Sequence, residues 1–307
     1  MRRIGTVSVA AACGSVGACL YLAVMLGTPG GLVLVYMGQL PLFIAGLWLG
    51  TGAAALAGLT AALMLFVASD LVGAAVFTAV NAVPVTLLVR QALLARRGTD
   101  GAVVWYPLGL LAAWLTALAL AAIAATFLVV GGPEGMQSAL HSVVAEVLDR
   151  LARHPVPDRD LAAGLIVMVL PGVLVTSWMI MLVANAVLAQ GLLSRFGANW
   201  RPSPDLAGLG LPPWVPIALG VAALAVVVGG SLRLIGINML IALSVPFCLA
   251  GLAVLHAAAR RMSHPQAALI GFYMLAAFFG WPFLAVAILG LLESGLGLRR
   301  RLASPGR

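Results

Sequence analysis

The chain contains no lysine; all 17 of its basic residues are arginine. A Walker A loop needs a lysine on the bound phosphates, so the glycine-rich Gly50-Thr51-Gly52 stretch is not one. Schiff-base and Ser–Lys mechanisms are excluded for the same reason. Charge of either sign is scarce, at 8% of 307 residues, against about 25% in a soluble globular domain. A soluble fold with so few charges could not cover its own surface. Cysteine is nearly absent: Cys13, Cys19 and Cys248 lie inside apolar runs, without metal-ligand spacing and without the pattern of a disulfide framework. HExxH, GxSxG and paired intramembrane aspartates are also missing. The sequence therefore predicts no catalytic set, no metal site, no cofactor and no enzymatic activity.

What is present is hydrocarbon. Hydrophobic residues make up 63% of the chain and the mean hydropathy is +1.13. The apolar runs are continuous and about 20 residues long, the length of a membrane-spanning helix. A barrel would show segments of about ten residues with alternating polarity. In lipid the backbone must satisfy its own hydrogen bonds, which leaves the helix as the spanning element. The runs fall at residues 4–27, 32–49, 53–69, 71–88, 108–130, 161–193, 214–228, 235–255 and 267–292. They predict an all-α polytopic bundle of about eight to ten spans, as a single transmembrane domain over residues 1–307. The first run contains Val16-Gly17-Ala18-Cys19, which resembles a lipoprotein cleavage box. It stays apolar through Leu26, so it is read as a membrane helix rather than a signal peptide.

The one sizeable polar segment is 134–160. Met136, Leu140, Val143, Val147 and Leu151 share a helical face, while Glu146, Asp149, Arg150 and Arg153 point elsewhere. This pattern predicts an amphipathic helix on the membrane surface, with a partner-binding helix as the alternative. The net charge of +8 sits in short arginine clusters between apolar runs, without interleaved aromatics. It predicts anchoring at anionic lipid headgroups, not nucleic-acid binding. Strong Ala, Gly, Arg and Pro usage suggests a GC-rich bacterial genome, hence a bacterial inner membrane. The positive-inside rule places the N-terminus and the clusters at Arg90/Arg96/Arg97, Arg195/Arg201 and Arg260/Arg261 in the cytoplasm, and segment 134–160 outside. Nine full spans would leave the basic tail, 299–307, on the wrong side. Either Phe279-Gly280-Trp281-Pro282 turns the last run back as a re-entrant hairpin, or an early joint is not a reversal.

Polar side chains at membrane depth are costly and mark candidate sites. Charge is nearly absent there: Asp70 and Glu293 sit at run ends, and Arg233 can snorkel. That disfavours a carboxylate proton relay, although Asp70 keeps one open. The amides stand out. Gln39 precedes Pro41 by two residues, and Asn81 precedes Pro84 by three. Each proline is predicted to free a carbonyl one turn earlier, at Met37 and Val80. This resembles the broken-helix site of transporters, with interhelical hydrogen bonding as the structural alternative. Asn185 and Gln190 are read as packing residues, and Trp178 as a side chain deep enough to line a pocket, with core packing as the favoured alternative. Ala10, Gly14 and Ala18 form a small-residue stripe suited to close helix packing, within the chain or against a membrane partner.

The end of the chain carries a resemblance. Residues 282–301 read Pro-Phe-Leu-Ala-Val-Ala-Ile-Leu-Gly-Leu-Leu-Glu-Ser-Gly-Leu-Gly-Leu-Arg-Arg-Arg. This looks like the closing motif of the YybS-like bacterial membrane proteins, a Gly-Leu-x-acid turn followed by arginine, with Glu293 where Asp is usual. Asn185 before Arg195, Trp214 after a proline loop, and Gly251-Leu252-Ala253 before His256 fit the same pattern. That family has no known function and is distantly similar to the substrate-binding membrane subunits of energy-coupling-factor vitamin transporters. The similar stretch here is Leu40-Pro41 through Gly46, Gly50 and Gly58 to Asp70. The resemblance implies a stripe on the first helix, matched here in spacing by Ala10, Gly14 and Ala18, that docks a coupling subunit. It also implies energy from a partner ATPase, since this chain has no ATP site. The resulting expectation is a transporter-type subunit that binds a small uncharged or weakly polar solute through Gln39 and Asn81. The alternative is a non-transporting membrane scaffold or envelope-assembly factor.

Overall fold

A computed structural model describes residues 2–99, 101–151 and 158–299. Arg153 and the tail beyond Arg299 lie outside the described residues, as do the side chains of Asp149 and Arg150. The helices group into two compact units, Met1–Pro107 with Ile180–Pro204, and Leu108–Met179 with Asp205–Arg307.

The first unit holds α1 (Arg2–Leu22), α2 (Pro29–Tyr36), α3 (Leu40–Leu49), α4 (Thr51–Ala68), α5 (Leu71–Phe77) and α6 (Val83–Ala92). A short antiparallel ribbon follows, β1 (Ala95–Arg97) on β2 (Val103–Trp105). Helix starts follow local chemistry. The Thr28 hydroxyl accepts the Gly31 N–H at 3.1 Å with Pro29 in the first turn, and the Asp70 carboxylate accepts the Gly73 N–H at 2.6 Å. Asp70 is thus an exposed N-cap. Gly50, at φ 101°, makes the joint between α3 and α4, a backbone conformation that a side chain would strain. Phe43, Leu42, Leu65, Phe77, Val85 and Val89 fill the core.

The second unit begins with α7 (Leu108–Val129), α8 (Gly132–Leu151) and α9 (Arg159–Arg195), whose last part belongs to the first unit. It continues with α10 (Trp214–Val228), α11 (Gly230–Ala259), α12 (Pro265–Phe279) and α13 (Pro282–Leu296). Ala113, Val215, Ala222, Leu243, Phe247 and Ala287 form a core from α7, α10, α11 and α13. The axes of α12 and α13 are bent by 119° across Gly280-Trp281, where a turn-back was one of the two alternatives in the sequence. Where α13 crosses α11, neither Gly251 nor Gly290 has room for a Cβ: each would overlap backbone of the other helix.

The second unit buries only part of the apolar stripe expected on α8. Val143 and Val147 are exposed. The buried line is Met136, Val144 and, partly, Leu140 and Leu148; Val144 packs on Ala163 and Val167 of α9. A strict four-residue step reaches 144 and 148 rather than 143 and 147, and the neighbouring helix selects that line.

Among the described residues, seven helical spans are long and apolar enough to cross a membrane: Gly5–Leu26, Pro29–Leu49, Thr51–Ala68, Leu71–Ala92, Leu108–Val129, Asp160–Arg195 and Gly230–Ala259. The short α10 and the bent α12–α13 pair complete the apolar set. The protein is an all-α, multi-pass membrane protein.

Candidate functional site

Two spans of the first unit are interrupted at their centres. In Pro29–Leu49, of 21 residues, the helix breaks after Tyr36. The Met37 and Gly38 N–H groups turn back to Leu34 and Val35 at 3.0 Å each, in tight three-residue steps. Pro41 gives no N–H to the next turn, but the Met37 carbonyl is taken up by Leu40 N–H at 3.0 Å. In Leu71–Ala92, of 22 residues, Thr78–Ala82 is a π-helical turn, and the Val83 N–H reaches back to the Thr78 carbonyl. The extra residue absorbs the N–H missing at Pro84, and Val80 also has a partner. The free carbonyls expected at Met37 and Val80 are therefore not free. Local rewinding takes up the Met37 carbonyl, and a π-helical turn accommodates Pro84.

The two interruptions meet. Gln39 Nε2 donates to Asn81 Oδ1 at 2.9 Å, between side chains 0% and 4% exposed. Asn185 joins from the last part of α9. Its Nδ2 donates to the Tyr36 carbonyl at the end of α2, at 2.7 Å, and to Met181 at 2.8 Å. Two acceptors are left over. Gln39 Oε1 and Asn185 Oδ1 are the only buried side-chain polar atoms without a hydrogen bond among the described residues. Both belong to side chains anchored at the break between α2 and α3. Tyr21 and Phe77 stack edge to face at 5.1 Å. The α1 backbone approaches at Gly17, where a Cβ would lie 3.1 Å from the Gly38 carbonyl.

The other predicted residues go elsewhere. Trp178 is half-buried on the part of α9 that belongs to the second unit. The Ala10–Gly14–Ala18 stripe, expected to dock a partner, is buried within the first unit. A Cβ at Gly14 would collide with the Ala57 carbonyl of α4. Small residues let two backbones touch, and here the second backbone is the chain's own. Arg201, expected among the headgroup anchors, is 6% exposed and donates to the carbonyls of Ala92 at 3.0 Å and Tyr106 at 2.9 Å. It clips the end of α6 to the strand that leads into α7, and burial lowers its pKa. Gln190 Nε2 donates to the Arg201 carbonyl at 2.7 Å.

In the second unit the sequence reading passed over Asn238. Its Oδ1 accepts the Gly172 N–H, and its Nδ2 donates to Met168 at 3.0 Å and Leu234 at 2.7 Å. The amide thus stands between two backbone groups that would otherwise bond to each other, one residue past Pro171. An Asn inside an apolar run was the available signal. At one end of this unit, Arg299 Nε meets Glu293 Oε1 at 2.8 Å, its N–H meets Oε2 at 3.0 Å, and its Nη1 donates to the Ala207 carbonyl. An open cleft of about 470 Å³ lies beside the pair, lined also by Leu209, Gly210, Ala250 and Ser294. Arg260, just before α12, forms a two-pronged bond to Asp205, one arm at 3.1 Å. Hydrogen bonds from Arg260, then from Ala207 N–H, hold the Asp205 carboxyl below the usual carboxylate range. Both ends of the α12–α13 pair are thus tied to the same turn, Asp205–Gly208.

Among the described residues, no three His, Cys, Asp or Glu side chains cluster to hold a metal ion. No curated protein and no solved structure matches the chain. One family model does match, over residues 15–294, nearly the whole length and including Glu293. The chain belongs to the predicted membrane protein family DUF2232.

Proposed function

We propose that the protein is a transporter-type subunit of a bacterial inner membrane that binds a small solute where α2–α3 and α5–α6 are interrupted. The observation that carries this reading is the junction itself. Two spans break at their centres, their amides pair across the break, and Gln39 Oε1 remains a buried acceptor without a donor. Interrupted helices are how membrane proteins expose polar atoms at depth without lipid contact. Gln39 and Asn81 anchor the solute, and Trp178 is given no part in this junction. The reading assigns no catalysis to the chain and draws energy from a partner, as the energy-coupling-factor resemblance implies. The Ala10–Gly14–Ala18 stripe is occupied by α4, so it serves neither as the docking face for a coupling subunit in this reading nor as one for a partner in the scaffold alternative. The N-terminus is assigned to the cytoplasm by the arginine clusters.

The test is uptake of a panel of labelled water-soluble vitamins by cells expressing the protein, with Gln39→Leu and Asn81→Leu as comparisons. Saturable uptake that falls at least tenfold in both variants, at equal amounts of folded protein, is expected. Uptake indifferent to both substitutions, or no uptake of any probe together with co-purification of envelope-assembly proteins, rejects the reading.

A further inference from the structure

The junction in the first unit presents a one-sided chemistry. Two of the three amides there direct their NH2 groups into the protein: Gln39 to Asn81, and Asn185 to the Tyr36 and Met181 carbonyls. The fully buried polar atoms left over are both oxygens, Gln39 Oε1 and Asn185 Oδ1, on side chains 0% and 3% exposed. A buried carbonyl without a donor is destabilising, and two such atoms tied to one three-residue break form a pattern. Asn185 bonds to the carbonyl of Tyr36, the last residue before the break, and Gln39 is the last residue of the break.

Two helix ends face the same break, the N–H end of α3 at Leu40 and the carbonyl end of α2. Helix α2, eight residues long, ends at Tyr36, so the carbonyl end of its dipole points at the break. Broken transmembrane helices use such carbonyl ends and neutral oxygens to hold alkali ions, and channel filters show that neutral carbonyls replace the hydration shell of a monovalent ion. Gln39, Asn81 and Asn185 carry no charge. Divalent ions, which require carboxylates to offset their charge, do not suit such a set.

We propose that the oxygens left unpaired at the α2–α3 break, Gln39 Oε1 and Asn185 Oδ1, bind a small monovalent cation, an alkali ion or ammonium. The proposal rests on reading the break as a binding site and names its occupant. It departs from the uncharged solute suggested by composition, because the composition shows only that charged side chains are absent. It does not show which ends of the amides remain free.

The experiment is thermal unfolding of the purified full-length protein in detergent, at constant ionic strength, in NaCl, KCl or NH4Cl against choline chloride. One of the small cations raises Tm saturably by about 3 °C over choline. Gln39→Leu and Asn185→Leu lose that increment, while Gln39→Glu keeps it and reaches half-saturation at a several-fold lower concentration. Because Gln39→Glu retains the shape of the side chain, it remains informative even where the leucine variants fail to fold. Equal Tm in all four salts overturns the proposal, as water then satisfies the oxygens. An increment that survives both leucine substitutions, or one unchanged in affinity in Gln39→Glu, overturns it as well. If the salts are equivalent but vitamin uptake still depends on Gln39, only the cation assignment falls. If neither responds, the break is purely structural and both readings fall.

Discussion

At the scale of single residues, amides rather than charges organise this protein. Gln39, Asn81, Asn185 and Asn238 each sit inside an apolar span, and each ends in a hydrogen bond to another amide or to backbone. The physical reason is that an amide offers both a donor and an acceptor without the desolvation cost of a full charge. Asn238 shows this most completely. Substituting Leu there removes the donor to Met168 and the acceptor for Gly172 at once, beside a proline that has already removed one rung of α9. Asn238→Leu is therefore expected to destabilise by about 1–3 kcal/mol, read as an earlier midpoint in denaturant titration of the purified protein. An unchanged midpoint would show that the α9 groups re-pair without it. The ion pairs divide by exposure. Glu293 and Arg299 are largely buried, whereas Arg260 and Asp205 are more than half exposed and contribute little on their own.

At the scale of elements, the informative places are those where a helix stops being regular. The mid-span prolines were legible in the sequence, and so was the turn at Phe279-Gly280-Trp281-Pro282. What the backbone did with them was not. A proline removes an N–H, and the vacancy can be filled by tightening, as at residues 37–39, by widening, as at Thr78–Ala82, or by a side chain from another helix, as at Pro171. Choice among the three depends on what packs alongside. The crossing of α11 and α13 is set by glycine in the same way. Gly251 and Gly290 bring the two backbones into contact, so Gly290→Leu forces the helices apart. That variant is expected to lose the monodisperse peak in detergent size-exclusion chromatography, while Gly295→Ala, at a position with open space around its Cβ, keeps it.

At the scale of the whole molecule, the arginine pattern predicts orientation, and the last element is where that prediction is tested. Arg260 and Arg299 flank α12–α13 and both bond to the turn around Asp205–Ala207. Each arm has 15 residues, about 22 Å of helix, shorter than the roughly 30 Å hydrocarbon core. A turn-back at Gly280-Trp281 brings both ends of the pair to one side, whereas a broken span carries the chain across. With α10 counted as a span and α12–α13 turning back, the clusters at Arg90/Arg96/Arg97, Arg195/Arg201, Arg260/Arg261 and the one that starts at Arg299 are expected in the cytoplasm, with Arg150, Arg153 and Arg159 outside. Single cysteines at residues 97, 262 and 307, in a variant lacking the native cysteines, are expected to react with a membrane-impermeant maleimide only after the cells are opened. Cysteines at 131 and 229 are expected to react in intact cells. Labelling of residue 307 from outside would make α12–α13 a crossing rather than a hairpin.

By itself the sequence determined the solvent, the secondary structure and the identity of the polar atoms at depth. Those follow from composition and run length, which are local properties: 8% charge and uninterrupted apolar runs allow hardly any medium but lipid. It also marked Gln39 and Asn81 as unusual. Only the tertiary structure decided that these two, 42 residues apart, bond to each other, that Asn185 closes the same break, and that the Ala10–Gly14–Ala18 stripe faces α4. Partner choice among buried polar groups is a property of how helices pack. Every greasy helix in this chain offers much the same surface pattern, so nothing in the spacing of residues along one of them says which neighbour it will meet.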